Sequence, residues 1–138
     1  MGHISFSKER YNAFRSDQRD GPVHMLNLIR LRDIAQYEDG RVATGREAFE
    51  AYGRESGPLF LRLGGRIVWR GQPEQMLIGP DDERWDVCFI AEYPSVASFV
   101  ELVRDPAYRA ATQHRAAAVE DSRLIRLATA AAGNSFSG

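Results

Sequence analysis

Three side chains have the chemistry to move a proton or stabilise charge: Asn27, Asp86 and His114. An asparagine amide can hydrogen-bond a substrate carbonyl or enolate and stabilise charge developing on its oxygen. A histidine titrates near neutrality, so His114 is a candidate general base or axial ligand. Asp86 is a candidate base; Glu92, six residues on along the same strand face, is too far away to pair with it. Each also has an ordinary reading. Asn27 then bonds a neighbouring backbone group, His114 sits hydrogen-bonded at a packing seam, and Asp86 joins an ion pair. His24 and His3 are weaker candidates.

Around these lie residues suited to holding a ligand. Arg115 and Arg70 carry planar guanidinium forks that match a carboxylate, unless Asp86, Glu92 or Glu120 neutralises them. Trp69, Trp85 and Tyr108 offer large apolar walls with one polar edge, unless they pack in the core or a dimer interface. Arginine dominates the basic residues, with 17 against the single Lys8. That preference suits anionic partners, though a compositional bias filling surface positions explains it as well. Cys88 is the one cysteine, so neither an intrachain disulfide nor a cysteine metal site is expected. No Gly-rich phosphate loop, His-x-x-x-His pair or Ser-His-Asp arrangement is evident, so no metal and no cofactor are expected.

The elements that must position these groups follow from periodicity. Ser7 is an N-cap signal for a short helix over 7–16. Residues 23–32 read as a central strand, with Val23, Met25, Asn27, Ile29 and Leu31 on one face. Thr44 and Glu47 form a capping-box signal for a helix that Gly57-Pro58 is expected to kink and Gly64-Gly65 to end. Residues 66–70 form a strand, with a bulge or break at 71–73 and pairing resumed at 75–78. Trp85–Tyr93 is the next strand. Ser95 starts a helix, and Asp105-Pro106 starts another that runs to about residue 120. Residues 123–128 form the last strand, followed by a frayed tail over 129–138. The order is β-α-β-β-α-β behind an N-terminal helix. That predicts an α+β, ferredoxin-like split βαβ fold: one domain over 1–138, its core at about 20–128, with a four-stranded antiparallel sheet.

Several stretches are more specific than periodicity: His24-Met-Leu-Asn-Leu-Ile-Arg-Leu-Arg32, Gly64-Gly-Arg-Ile-Val-Trp-Arg-Gly71, and Trp85-Asp86. Glu92-Tyr-Pro-Ser95 with Phe99, and Asp105-Pro-Ala-Tyr108 with His114-Arg115 and Ala117-Ala118, complete the set. Together, in this order, they resemble the domain-of-unknown-function family thirteen-thirty of the dimeric α/β-barrel superfamily. The resemblance implies a protomer whose sheet packs on a second copy, closing a barrel. It implies no particular reaction.

The charge balance excludes some classes. A net charge of -1 argues against nucleic-acid or polybasic membrane binding. No apolar run reaches the ~18 residues of a membrane span, and no secretory signal is apparent, so the cytoplasm is the expected location. The leading expectation is a homodimer that binds a small organic molecule, a carboxylate being one candidate, in the barrel cavity, with metal-free isomerase- or monooxygenase-like chemistry. Asn27, His114 and Asp86 would act on it, while Arg115, Arg70, Trp69, Trp85 and Tyr108 hold it. The alternatives are a non-catalytic dimeric binding module and, more remotely, haem binding through Asn27, Trp85 and His114. The uncovered sheet face is expected to need a partner if it is as apolar as Met25, Ile29, Trp85 and Phe89.

Overall fold

Local capping chemistry sets most of the helix ends in the computed structural model, which describes residues 2–138. Ser7 accepts the Arg10 N–H and opens α1 (Lys8–Ser16). Thr44 and Glu47 form both halves of a capping box at the start of α2 (Gly45–Arg62). Gly45 is required here, because a Cβ would lie 1.9 Å from the Arg32 carbonyl oxygen. Ser95 caps α3 (Val96–Arg104), and Asp105 both ends α3 and caps α4 (Pro106–Ala118). Gly64, at φ 82°, turns the chain after α2 in the left-handed conformation expected of it.

The strands are β1 (Val23–Leu31), β2 (Arg66–Gly71), β3 (Val87–Tyr93) and β4 (Val119–Leu127). They pair antiparallel in the order β2-β3-β1-β4. With two crossover helical segments on one face, this is the ferredoxin-like fold, and the α+β expectation holds.

Five local expectations need correction. Pro58 does not kink α2 into two pieces; the helix is continuous. Its ring is exposed, and the one hydrogen bond it forfeits leaves the carbonyl of exposed Arg54 to water. No strand resumes at 75–78: residues 72–86 are irregular, and Ile78 is 92% exposed. Pro73 brings no N–H to that edge. Of the bulge or break expected at 71–73 only the break is found, where β2 ends, and the bulge falls earlier, at Val68. β3 begins at Val87, so Trp85 lies outside it. α4 ends at Ala118 and passes directly into β4, four residues earlier than expected, because fully buried Val119 is already extended against Leu31.

The core lies between the sheet and the helices. Val23, Met25, Ala91 and Tyr93 pack with Leu59, Phe99 and Leu102. Ile29 and Leu31 pack with Ala48, Ala117, Ala118 and Val119. Met25, Ile29 and Phe89 therefore face the helices, not the uncovered side as expected. The alternation of side chains leaves Leu26, Leu28, Ile90 and Ile125 on the uncovered face. At one end of that face His24 and Arg66 both contact Glu92 at 2.8 Å; at the other, Arg30 pairs with Glu120.

Candidate functional site

A cleft of about 1010 Å³ opens between the sheet and the helices. Its floor is the helix-facing side of the sheet, with Met25, Asn27, Phe89, Tyr93 and Leu124 among its residues. Its walls come from α2 (Phe49, Tyr52, Ser56, Phe60), from α3 and α4 (Phe99, Tyr108, Thr112, Arg115), and from the N-terminal segment and α1 (His3–Phe6, Tyr11, Phe14). Ten of the lining residues are aromatic. Five are arginines: Arg10, Arg70, Arg115, Arg123 and Arg126. No Asp or Glu lines it, but Arg123 pairs with Asp121 and Glu83, and Arg126 with Asp17, so the unpaired positive charge at the apolar walls rests with Arg10, Arg70 and Arg115.

Arg70 reaches this cleft because of the bulge at Val68. Strict alternation would put Ile67 and Trp69 on one face and Arg70 on the other. The register instead pairs Ile67 with Ala91, Trp69 with Ile90 and Arg70 with Phe89. The extra residue turns Ile67 and Arg70 to the cleft side and sends Trp69, 54% exposed, to the opposite face. The Arg70 guanidinium sits 5.7 Å from the centre of the Phe89 ring. Among the described residues it has no hydrogen-bond or ion-pair partner.

The other arginines are more committed. Arg115 donates to the Ile4 carbonyl and lies 3.4 Å from the Ser122 hydroxyl. Arg126 donates to the carbonyls of Phe14 and Asp17 and lies over the Phe14 ring. Arg123 donates to Asp121 and to the Ser122 carbonyl. The Arg115 contact belongs to an N-terminal strap: the His3 N–H donates to Asp121 at 2.8 Å, and the Ser122 hydroxyl donates to the His3 carbonyl at 2.7 Å.

Of the sequence candidates, the cleft brings together Asn27, Arg70, Arg115 and Tyr108. Asn27 donates to the Met25 carbonyl at 3.2 Å. Tyr108 shares a 2.7 Å hydroxyl–hydroxyl bond with Tyr52. The remaining candidates lie elsewhere. His114, 6% exposed, has both ring nitrogens engaged, Nδ1 with the Tyr37 hydroxyl at 2.5 Å and Nε2 with Glu55 at 2.7 Å. It stands at the seam between α4, α2 and the loop after β1. The Asp86 carboxylate accepts the Leu31 N–H at 2.8 Å, opposite the bulge in β4 where Glu120 is the extra residue, and binds Arg84. Trp85 stacks under Arg123, on the uncovered side of the sheet. Asn27, Trp85 and His114 are thus not assembled around one space.

Two features escaped the sequence reading. Tyr52 carries no motif of its own and matters only through its bond to Tyr108. The His3–Phe6 strap is joined to β4 by contacts spanning more than a hundred residues, which no local pattern encodes. Among the described residues, no group of three or more His, Cys, Asp or Glu is placed to hold a metal ion. No helix there is long and apolar enough to cross a membrane.

Fold and cleft define a ferredoxin-like protein with a positively charged, aromatic-walled space between its sheet and its helices. Residues 41–127 match the family "Domain of unknown function (DUF1330)", and the chain belongs to that family. It is similar over nearly its whole length to the RPA0582 protein. A crystal structure of the methylated protein is 63% identical, covers 96% of this chain and 98% of that one, and superposes with a TM-score of 0.94. Another, of the RPA0582 protein of unknown function from Rhodopseudomonas palustris, is 62% identical, with 96% and 100% coverage and a TM-score of 0.93. An uncharacterized NIPSNAP domain protein from Burkholderia xenovorans shares the fold at 18% identity, over 83% of this chain and 99% of that one, with a TM-score of 0.51. No curated protein matches the sequence.

Proposed function

We propose that the protein binds a small organic carboxylate in this cleft, its apolar body among the aromatic walls and its carboxylate on Arg70. The observation that carries this reading is a cleft with no lining acid and three arginines free of ion pairs, with the Arg70 guanidinium unpartnered among the described residues. Its volume is at the upper end of ordinary ligand sites. Metal-free isomerase- or monooxygenase-like chemistry would have to run on groups that line the cleft. Asn27 is the one of the three catalytic candidates that does.

The test is calorimetric titration with 3-phenylpropanoate and its uncharged amide. The carboxylate is expected to bind and the amide to bind more weakly. Arg70→Ala removes a forked, charge-assisted pair at an exposed position, which corresponds to about 1–2 kcal/mol, or roughly 5- to 30-fold in Kd. Equal binding of acid and amide, or no effect of Arg70→Ala, overturns the reading.

A second copy of the chain is the proposed partner for the uncovered sheet face. The apolar strip of Leu26, Leu28, Ile90 and Ile125 is bordered by ion pairs at both ends, which suits a self-complementary twofold contact. Light scattering should find a dimer that Ile90→Arg converts to monomer; a monomeric parent chain would refute it.

A further inference from the structure

Three phenols converge on the cleft from three elements: Tyr52 from α2, Tyr108 from α4 and Tyr93 from the end of β3. The Tyr52 and Tyr108 hydroxyls are 2.7 Å apart. One hydroxyl donates to the other, so the pair consumes one of its two protons and retains the second as a donor. A hydroxyl that already accepts a hydrogen bond is a different donor from an isolated one, because successive bonds polarise one another.

Tyr93 is the more telling of the three. It is only 7% exposed, wedged edge-on between the rings of Phe60 and Phe99. Its hydroxyl has no hydrogen-bond partner among the described residues. Yet it is not among the polar atoms sealed in protein without a partner, as the Tyr11 hydroxyl is. It therefore opens onto the cleft that Tyr93 lines. A nine-tenths buried tyrosine normally finds a partner for its hydroxyl. Here the free side of that hydroxyl faces the space where a ligand would sit.

Burial pushes both Tyr93 and Tyr108 above the usual phenol range, and the nearby Tyr52 hydroxyl adds to the shift in each. These groups stay protonated and act as neutral donors. They are suited to an oxygen that carries partial or full negative charge, and unsuited to abstracting a proton. No carboxylate lines the cleft to take up their protons instead.

We infer that the Tyr52–Tyr108 pair and Tyr93 form a donor site for a second oxygen on the ligand. The cleft then takes an aromatic acid that also bears a ring hydroxyl or a carbonyl. This rests on the carboxylate reading above and narrows it: Arg70 holds one end and the phenols hold the other.

The test compares 3-phenylpropanoate with 3-(4-hydroxyphenyl)propanoate by calorimetry on the full chain. The hydroxylated probe is expected to bind at least 10-fold tighter. In Tyr93→Phe that preference should fall toward 1. Tyr93→Phe removes a hydroxyl with no protein partner, so its melting temperature should match that of the parent chain. Tyr108→Phe is the second variant; it breaks the pair and should reduce the preference also. If the two probes bind equally, or if the preference survives both variants, the donor site is refuted while Arg70-dependent binding of the carboxylate stands. If neither probe binds, both readings fall.

Discussion

Gly53 and Gly57 occupy the middle of α2, four residues apart, on the side of the helix that lines the cleft. Neither has a positive φ, and a Cβ built on either meets nothing within 4 Å. Backbone conformation and packing therefore give no reason for glycine at these positions. Alanine in a helix interior is more favourable than glycine by about 0.8–1.0 kcal/mol. With the new methyls facing open space, the double variant Gly53→Ala/Gly57→Ala should gain nearly 2 kcal/mol. For a chain of 138 residues this corresponds to roughly 6 °C in melting temperature. The same methyls project into the space assigned to the ligand, so binding of 3-phenylpropanoate should weaken, and Gly53→Leu/Gly57→Leu should abolish it. Scanning calorimetry and titration on the same preparations read both effects. A melting temperature that stays level or falls would show that the glycines serve the fold. A leucine variant that binds as tightly as the parent chain would show that the ligand does not pass along this side of α2.

Removing Asp86 should be a stability effect, not a binding effect. Asp86→Ala leaves the Leu31 N–H without its acceptor at the bulge, about 1–3 kcal/mol by chemical denaturation, with the affinity for 3-phenylpropanoate unchanged. His114→Gln should likewise unfold at lower denaturant while binding normally, because its partners Tyr37 and Glu55 lie outside the cleft; a specific loss of binding would bring His114 back into the site. Hydrogen bonding from Arg66, with a further contribution from His24, holds the Glu92 carboxyl below its ordinary 4.5. A lowered folded value means that its stabilisation is present above that ordinary value and lost as pH falls through the lowered one. Glu92→Gln should therefore melt lower than the parent chain at pH 7, with the gap narrowing as the pH falls below 4.5. A gap that stays the same size at every pH from 7 down to acid unfolding would show that ionisation of Glu92 contributes nothing.

The fold was legible because its signals are local. Thr44 with Glu47, and Asp105 with Pro106, announce helix starts within four residues, and both are borne out. The alternation in β1 correctly grouped Met25, Asn27 and Ile29 on one face. It could not tell which face the helices would cover, since both are largely apolar. The site was less legible because single-residue events re-aim side chains. One bulge at Val68 exchanges the destinations of Trp69 and Arg70, and nothing in Arg-Ile-Val-Trp-Arg marks Val68 as the extra residue. His114 carries the right chemistry for a catalytic role. Its two ring partners come from residue 37 and residue 55, which only the folded chain brings to it.

The position of β1 bears on how this protein can be divided. The family match spans residues 41–127, whereas β1 occupies Val23–Leu31 and stands between β3 and β4. A fragment cut at the limits of the match would lose the strand that joins the two halves of the sheet. β2 and β3 would remain as a two-stranded ribbon, too small to be stable by itself, with β4 stranded apart from it. Both would present bare strand edges, the usual templates for aggregation. The working unit therefore reaches well upstream of the matched segment, and a fragment intended to fold must begin before Val23.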